Sequence, residues 1–366
     1  MRRLLGQLLV SAALVTGWVV STPAYACACG AMVDGPGGDT SVTAERAVVV
    51  WDGARETILL RLSTRSDAVS AGLLVPTPAS ADVALGDEQV FSDLAHVTAA
   101  RTEKRWHLFG TPLLLGGKAA GGDTASGGGA RGDGVAVLGS VDLGPLRATT
   151  LAAADPQGLE RWLQSHRFQT SAALQRSVQP YVDEGWTFVA IQLNAVGRAL
   201  EGDLPPISMT FPSDQAIYPM RMSAVAEEPQ SPSVYVLARH RMERTDAVAS
   251  GPTRPDLAFA GRVAPGEVAS ATLKKWLSTT PYLTASSQWL PDPSVIVTDF
   301  TFAQAPDDKP FHLVIYDDTY FLPGDVGALL VLLLLGGAVW LVVRLTRRPP
   351  EPASETSLDT EIPTTA

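Results

Sequence analysis

Two charge-free apolar stretches, Leu4 to Val20 and Val326 to Val343, bracket a body whose apolar runs are short and separated by polar turns. The second stretch holds eighteen residues. At about 1.5 Å per residue it measures roughly 27 Å, close to the thickness of a hydrocarbon core. Tyr320 and Phe321 stand at one rim and Trp340 near the other, where amphipathic rings settle. Arg344, Arg347 and Arg348 follow as a stop-transfer cluster, and such clusters stay in the cytoplasm. The pattern predicts a transmembrane helix over 321–345 and a single-pass, type I arrangement in the cell membrane. Residues 346–366, rich in proline, threonine and acid, are expected to form a disordered cytoplasmic tail. The first stretch follows Arg2-Arg3 and ends in Ala24-Tyr25-Ala26, the three parts of a secretory signal, with cleavage between Ala26 and Cys27. Pro23 ends the helix before the cut and argues against an uncleaved anchor. Lipidation of Cys27 is a third reading, but Ala24 and Tyr25 do not supply the usual aliphatic lead.

Between these stretches, 27–320 reads as one extracytoplasmic domain. Arg46 to Trp51, the turn dipeptide Asp52-Gly53 and Thr57 to Leu62 predict a hairpin. Ala71 to Val75 is a short strand ended by Pro76. Asp87 caps a helix whose Val90, Phe91, Leu94 and Val97 share a face. Glycine dominates 116–134, a flexible loop. Val135 to Leu138, a break at Gly139, Val141 to Leu143, and Leu146 to Leu151 read as paired strands. Asp155-Pro156 starts a helix carrying Leu159, Trp162 and Leu163. A second helix spans Ser171 to Val182, with Pro180 kinking or shortening it and Gly185 as its latest stop. Later strands are expected at Trp186–Leu193, Ile207–Phe211, Ala216–Val225, Val234–Met242, Leu257–Val263, Val295–Phe302 and His312–Tyr316, with a short helix around Leu273, Trp276 and Leu277. The fold class is therefore α+β, a mainly antiparallel sheet with a few grouped helices. The two Trp-Leu helices hint weakly at a duplication.

Charge and cysteine content narrow the function. The net charge is −10 over 366 residues. Five of the 28 basic and four of the 38 acidic residues lie in the terminal segments, which leaves the domain near −11. Such a surface disfavours nucleic acid as a partner. Only Cys27 and Cys29 are present, so packing rather than a disulfide framework must hold the core.

No catalytic, cofactor-binding or metal-ligating set stands out. Cys27-Ala28-Cys29 is the first candidate: a strained, reducible bridge, or two thiolates for a soft metal such as Cu(I), with Met32 the one further soft ligand nearby. The five histidines form no zinc motif, although His240 and His312 fall in predicted strands that can meet. Gly-x-Ser-x-Gly is absent. Arg131-Gly132-Asp133 spells the integrin tripeptide by chance composition. Phe211 to Asp214 reads as a strand ending in a capped turn, and Arg221 as the partner of an acidic neighbour.

Several blocks carry a resemblance. They are Ala26-Cys-Ala-Cys-Gly30, Glu45 to Gly53, Leu74 to Ala79, Leu159 to Leu163, Tyr181-Val-Asp-Glu-Gly-Trp-Thr-Phe-Val189 and Phe211-Pro-Ser-Asp-Gln-Ala-Ile-Tyr-Pro-Met-Arg221. The chain resembles the domain of unknown function 2330, a family of uncharacterised bacterial exported proteins. The resemblance implies export and often a C-terminal span, and it transfers no functional residue. The expectation is a binding or structural module of the cell envelope, with an envelope protein or ligand as partner. The alternative is a redox or metal-handling protein built on Cys27 and Cys29.

Overall fold

The computed structural model describes residues 26–27, 30–35, 40–66, 68, 70–109, 135–143, 146–194, 202–322 and 324–347. They fall in two compact units, one from residues 1–101 and 122–314, the other from 102–121 and 315–366.

The first unit is layered, and its apolar runs explain why. Ala47, Val48, Val49 and Val50 are all buried, as are Ile58, Leu59 and Leu60. A strand's side chains alternate between faces, so a continuous apolar run needs cover on both. That cover comes from a second sheet on one side and helices on the other. One sheet runs, in spatial order, Ala26–Cys27, Gly30–Asp34, Ser70–Thr77, Thr187–Asn194, Leu146–Ala153 and Val135–Leu143. The other is built on the long hairpin Thr40–Trp51 and Arg55–Ser66. Ile207–Pro212 extends it on one side, and Ser233–Ala238, Tyr282–Ser287 and Asp256–Arg262 on the other. Pairing is antiparallel throughout these strands except for Ser233–Ala238 against Thr40–Trp51. The α+β, mainly antiparallel expectation holds.

Alternate residues divide the core into three. Leu73, Val75, Val189 and Ile191 of the first sheet meet Val49, Ile58, Leu60 and Met209 of the second. Leu74, Phe188 and Ala190 face outward onto the helices Pro156–Ser165 and Ala172–Asp183. Val48, Leu59 and Leu283 face the opposite way, onto Gln89–Val97 and Ala271–Leu277. The order is helix, sheet, sheet, helix. The two Trp-Leu helices thus occupy opposite outer layers, Trp162 packing on one cluster and Trp276 on another.

Local signals are met where capping chemistry is strong. Asp52 Oδ1 accepts the Ala54 and Arg55 amides at 2.9 Å, and Gly53 takes φ 104°. Asp155 Oδ1 accepts Gly158 N–H at 2.7 Å, and Ser171 Oγ accepts Leu174 N–H at 3.1 Å. Pro180 neither ends its helix nor shortens it, which runs to Asp183, and Gly185 at φ 74° stops it. Pro76 does not end its strand either. It pairs with Phe188, beyond the last residue matched to the Gly30–Asp34 strand among the described residues. Four expected strands are only partly strand: Val234–Met242 breaks after Ala238 and resumes at Met242, His312–Tyr316 is interrupted at Leu313, and the other two adjoin 3-10 turns. Ala216–Tyr218 gives way to a 3-10 turn at Arg221–Val225, and Phe300–Gln304 follows a 3-10 turn at Pro293–Val295. Ala216–Tyr218, Phe300–Gln304 and Met242–Arg244 form a small third sheet. The glycine-rich loop, Arg131 to Asp133 and residues 348–366 of the expected tail lie outside the described residues.

A two-stranded ribbon, Arg101–Phe109 with Val314–Leu322, belongs to the second unit in all but the first residue of each strand, Arg101 and Val314, and is followed there by the helix Gly324–Thr346. The helix is long and apolar enough to cross a membrane, with mean hydropathy 2.3 over Leu329–Thr346. The expected span began at residue 321. Strand pairing instead claims Phe321 and Leu322, and the helix starts three residues later. Arg344 lies in its last turn, Arg347 follows it, and Arg348 falls outside the described residues.

Candidate functional site

Two of the motif blocks, Tyr181–Val189 and Phe211–Arg221, meet around one buried carboxylate. Tyr181, from the helix Ala172–Asp183, and Arg221, from the 3-10 turn, converge on Asp299. Asp299 is 5% exposed and sits just before the strand Phe300–Gln304. Its Oδ1 accepts the Tyr181 hydroxyl, the Met220 amide at 2.7 Å and the Arg221 amide at 3.0 Å. Its Oδ2 accepts Arg221 Nε–H at 2.7 Å. The rest of the Arg221 fork grips Glu184, Nη2 to Oε2 at 2.7 Å, while the guanidinium lies over the Tyr181 ring at 4.3 Å. The 3-10 turn therefore has a cause: it aims two successive amides and a guanidinium at one carboxylate.

The charges respond to this geometry. Burial pushes the Tyr181 hydroxyl well up, and the neighbouring Asp299 charge adds to it. Burial disfavours the Arg221 charge, but the Glu184 hydrogen bond and the Asp299 field outweigh it and raise its value. The Arg221 hydrogen bond in turn holds Glu184 below the usual range. Every group in the cluster is spent on another, so the cluster fastens helix, turn and loop together. The expected pairing of Arg221 with acid is present twice over.

Two further acids underlie the same motif. The Tyr218 hydroxyl donates to Glu45 Oε1, and Ile217 N–H donates to Glu56 Oε2 at 2.8 Å. Glu56 is wholly buried, and burial pushes its carboxyl well above the ordinary 4.5.

Unspent polar groups occur elsewhere, in a cavity of about 230 Å³ beside the small third sheet. Val236, Met242, Leu257 and Phe302 give it apolar walls, and Thr284 and Ser286 bring hydroxyls. Three arginines line it. Arg244 is committed: its Nη2 meets Asp246 Oδ1 at 2.7 Å, its Nη1 meets Gln288 Oε1 at 3.0 Å, and it stacks on Phe300. Arg241 gives Nη1 to the Lys309 carbonyl at 3.0 Å. Arg254 is exposed and makes no hydrogen bond or ion pair among the described residues. Glu243, also exposed, is the one acidic residue in the wall. Such a space suits a small molecule with an apolar body and an anionic head.

The sequence-selected residues fall apart from this cavity. The backbone of Ala26 and Cys27 forms an edge strand, Cys27 opposite Gly30, while Cys29 lies outside the described residues. Met32 is 1% exposed, in the core between the sheets. His240 and His312 do not meet: His240 Nδ1 is 3.0 Å from Asp308, and His312 Nε2 is 2.7 Å from the Ala99 carbonyl. The Phe211–Asp214 turn is capped as expected, Ser213 Oγ donating to the Gln215 carbonyl at 2.6 Å. Asp299 and Arg254 carry no local motif, and the periodicity that placed Asp299 within a strand hid it.

Comparisons with curated proteins and with solved structures find no match. A family profile described as an uncharacterised protein conserved in bacteria matches residues 23–303, which include both motif blocks, Asp299 and the cavity wall, and stops before the Val314–Leu322 strand and the helix. The chain belongs to the DUF2330 family.

Proposed function

We propose that this is a membrane-anchored extracytoplasmic binding module, whose cavity takes a small ligand with an apolar body and a carboxylate or comparable anionic head. The observation that carries the reading is Arg254, a cation without a partner among the described residues, at the wall of a partly apolar cavity on a protein of net charge −10. A guanidinium offers paired N–H donors to a carboxylate. The volume, below the usual 300 Å³ or so of a drug-sized site, limits the ligand to a small one. Arg344 in the last turn of the helix and Arg347 just after it support an outward-facing first unit, and the basic start with Ala24-Tyr25-Ala26 supports export.

The test is a thermal-shift screen of the full chain in nanodiscs against short aliphatic and aromatic carboxylates. At least one is expected to raise the unfolding temperature of the first unit, and Arg254→Ala is expected to abolish that rise without changing the unliganded value. A rise that survives in Arg254→Ala, or no rise with any carboxylate, overturns the assignment. Orientation is checked by protease added to intact cells, which must digest the first unit and spare a C-terminal reporter.

A further inference from the structure

The ribbon joined to the membrane helix carries aromatic side chains that the sequence order scatters over two hundred residues. Trp106 and Phe321 lie on one face, ring centroids 5.4 Å apart, and are 59% and 69% exposed. His107 and Tyr320 stack on the other face at 5.5 Å. Both pairs sit at the ribbon end that enters the helix, since Phe321 precedes Gly324 by three residues. Three residues of extended chain cover roughly 10 Å, and the polar zone on each side of a hydrocarbon core is about 5–8 Å deep.

We infer that this end of the ribbon is seated in the headgroup region of the bilayer, so that two strands and a helix, rather than the helix alone, form the membrane-contacting surface. The inference rests on the membrane-anchored reading of the helix. Tyr and Trp favour this zone because one end of each ring is apolar and the other hydrogen-bonds. Here the rings come in cross-strand pairs, one on each ribbon face, which forms a collar around the strand ends. Charged groups beside the collar are paired: Arg105 Nε and His107 Nε2 both meet Asp318 Oδ1, at 2.7 and 2.8 Å. Pairing of these groups lowers the cost of bringing them near the low-dielectric layer. Trp106 is the new element, because its position in the sequence gives no sign that it belongs beside the span.

The experiment uses the full chain in nanodiscs, with Cys27→Ser and Cys29→Ser, and a bimane label at one introduced cysteine. Labels are placed at Trp106→Cys, Arg101→Cys and Leu333→Cys. Headgroup spin-labelled lipid is expected to quench the label at 106 and leave the one at 101 bright, while aqueous iodide does the reverse. Lipid labelled deep in the acyl chain is expected to quench the label at 333. If the label at 106 behaves like the one at 101 while 333 is quenched, the ribbon inference is wrong and the anchor stands. If 333 is open to iodide, the anchoring reading itself fails. Should labelling at 106 disturb the ribbon, Tyr320→Cys reports the same height from the other strand with the same outcomes.

Discussion

Arg221 and Arg105 each hold an aspartate through Nε at 2.7 Å, yet the two bonds live in different worlds. The Asp299 side chain is 5% exposed and its oxygens also accept two backbone amides and a tyrosine hydroxyl. The Asp318 side chain is 31% exposed and Arg105 52%. The Arg105 hydrogen bond, with help from His107, holds Asp318 at about 2, so its charge is well stabilised. Water and salt nevertheless screen that pair, whereas Asp299 has no solvent to replace a lost partner. The same chemical contact is a fastener in one place and an ornament of local order in the other. Bond length alone would not distinguish them.

The comparison breaks most readily at Asp299. Asp299→Ala leaves Arg221 Nε–H, the Met220 amide and the Tyr181 hydroxyl without their acceptor, and about 3–5 kcal/mol of stability is expected to vanish in urea unfolding of the first unit. An effect no larger than that of Asp318→Ala would sink the distinction. Tyr181→Phe removes one donor from the same carboxylate and is expected to cost about 1–3 kcal/mol by the same measurement.

Acid titration sharpens the contrast through sign. Glu56 has a raised value in the folded protein, so the folded state holds a proton that the unfolded state releases. Its contribution is fully present below about 4.5 and is lost as pH rises toward the folded value. Glu184, lowered by Arg221, does the opposite: its contribution is present above 4.5 and is lost as pH falls through the folded value. Glu56→Gln keeps an acceptor for Ile217 N–H and is expected to remove the fall with rising pH, read from unfolding midpoints across pH 4 to 8. Glu184→Gln is expected to weaken the loss of stability in acid. The smallest effect belongs to Asp318→Asn, which is expected to leave the unfolding midpoint unchanged in 0.15 M salt. A clear drop there would show that the exposed pair carries more than local order.

Much of the fold was legible because local chemistry and tertiary packing agree. Asp52-Gly53 announces its hairpin, and Asp155 and Ser171 announce their helices. The unbroken Val48-Val49-Val50 run indicates burial on both faces, but not whether sheet or helix covers each. Periodicity failed where the chain serves a distant partner. Arg221–Val225 leaves the strand pattern to reach a carboxylate 78 residues later, and Asp299 sits in a stretch that reads as strand. The motif blocks pointed to Tyr181 and Arg221 without revealing what joins them. The cavity was not legible at all, because Arg254, Ser286 and Phe302 share no spacing and are brought together by sheet order alone.

The strand order also sets a timetable. For a chain made from its N-terminus, the Thr40–Ser66 hairpin has both partners as soon as it emerges. Gly30–Asp34 must wait for Ser70–Thr77, and that strand for Thr187–Asn194. The second sheet is finished only when Phe311–His312 arrives, twelve residues before Gly324 opens the helix. Completion of the globular part and arrival of the hydrophobic tail are nearly simultaneous. Until then a half-built sandwich with bare valine and leucine faces must be kept from sticking to its neighbours.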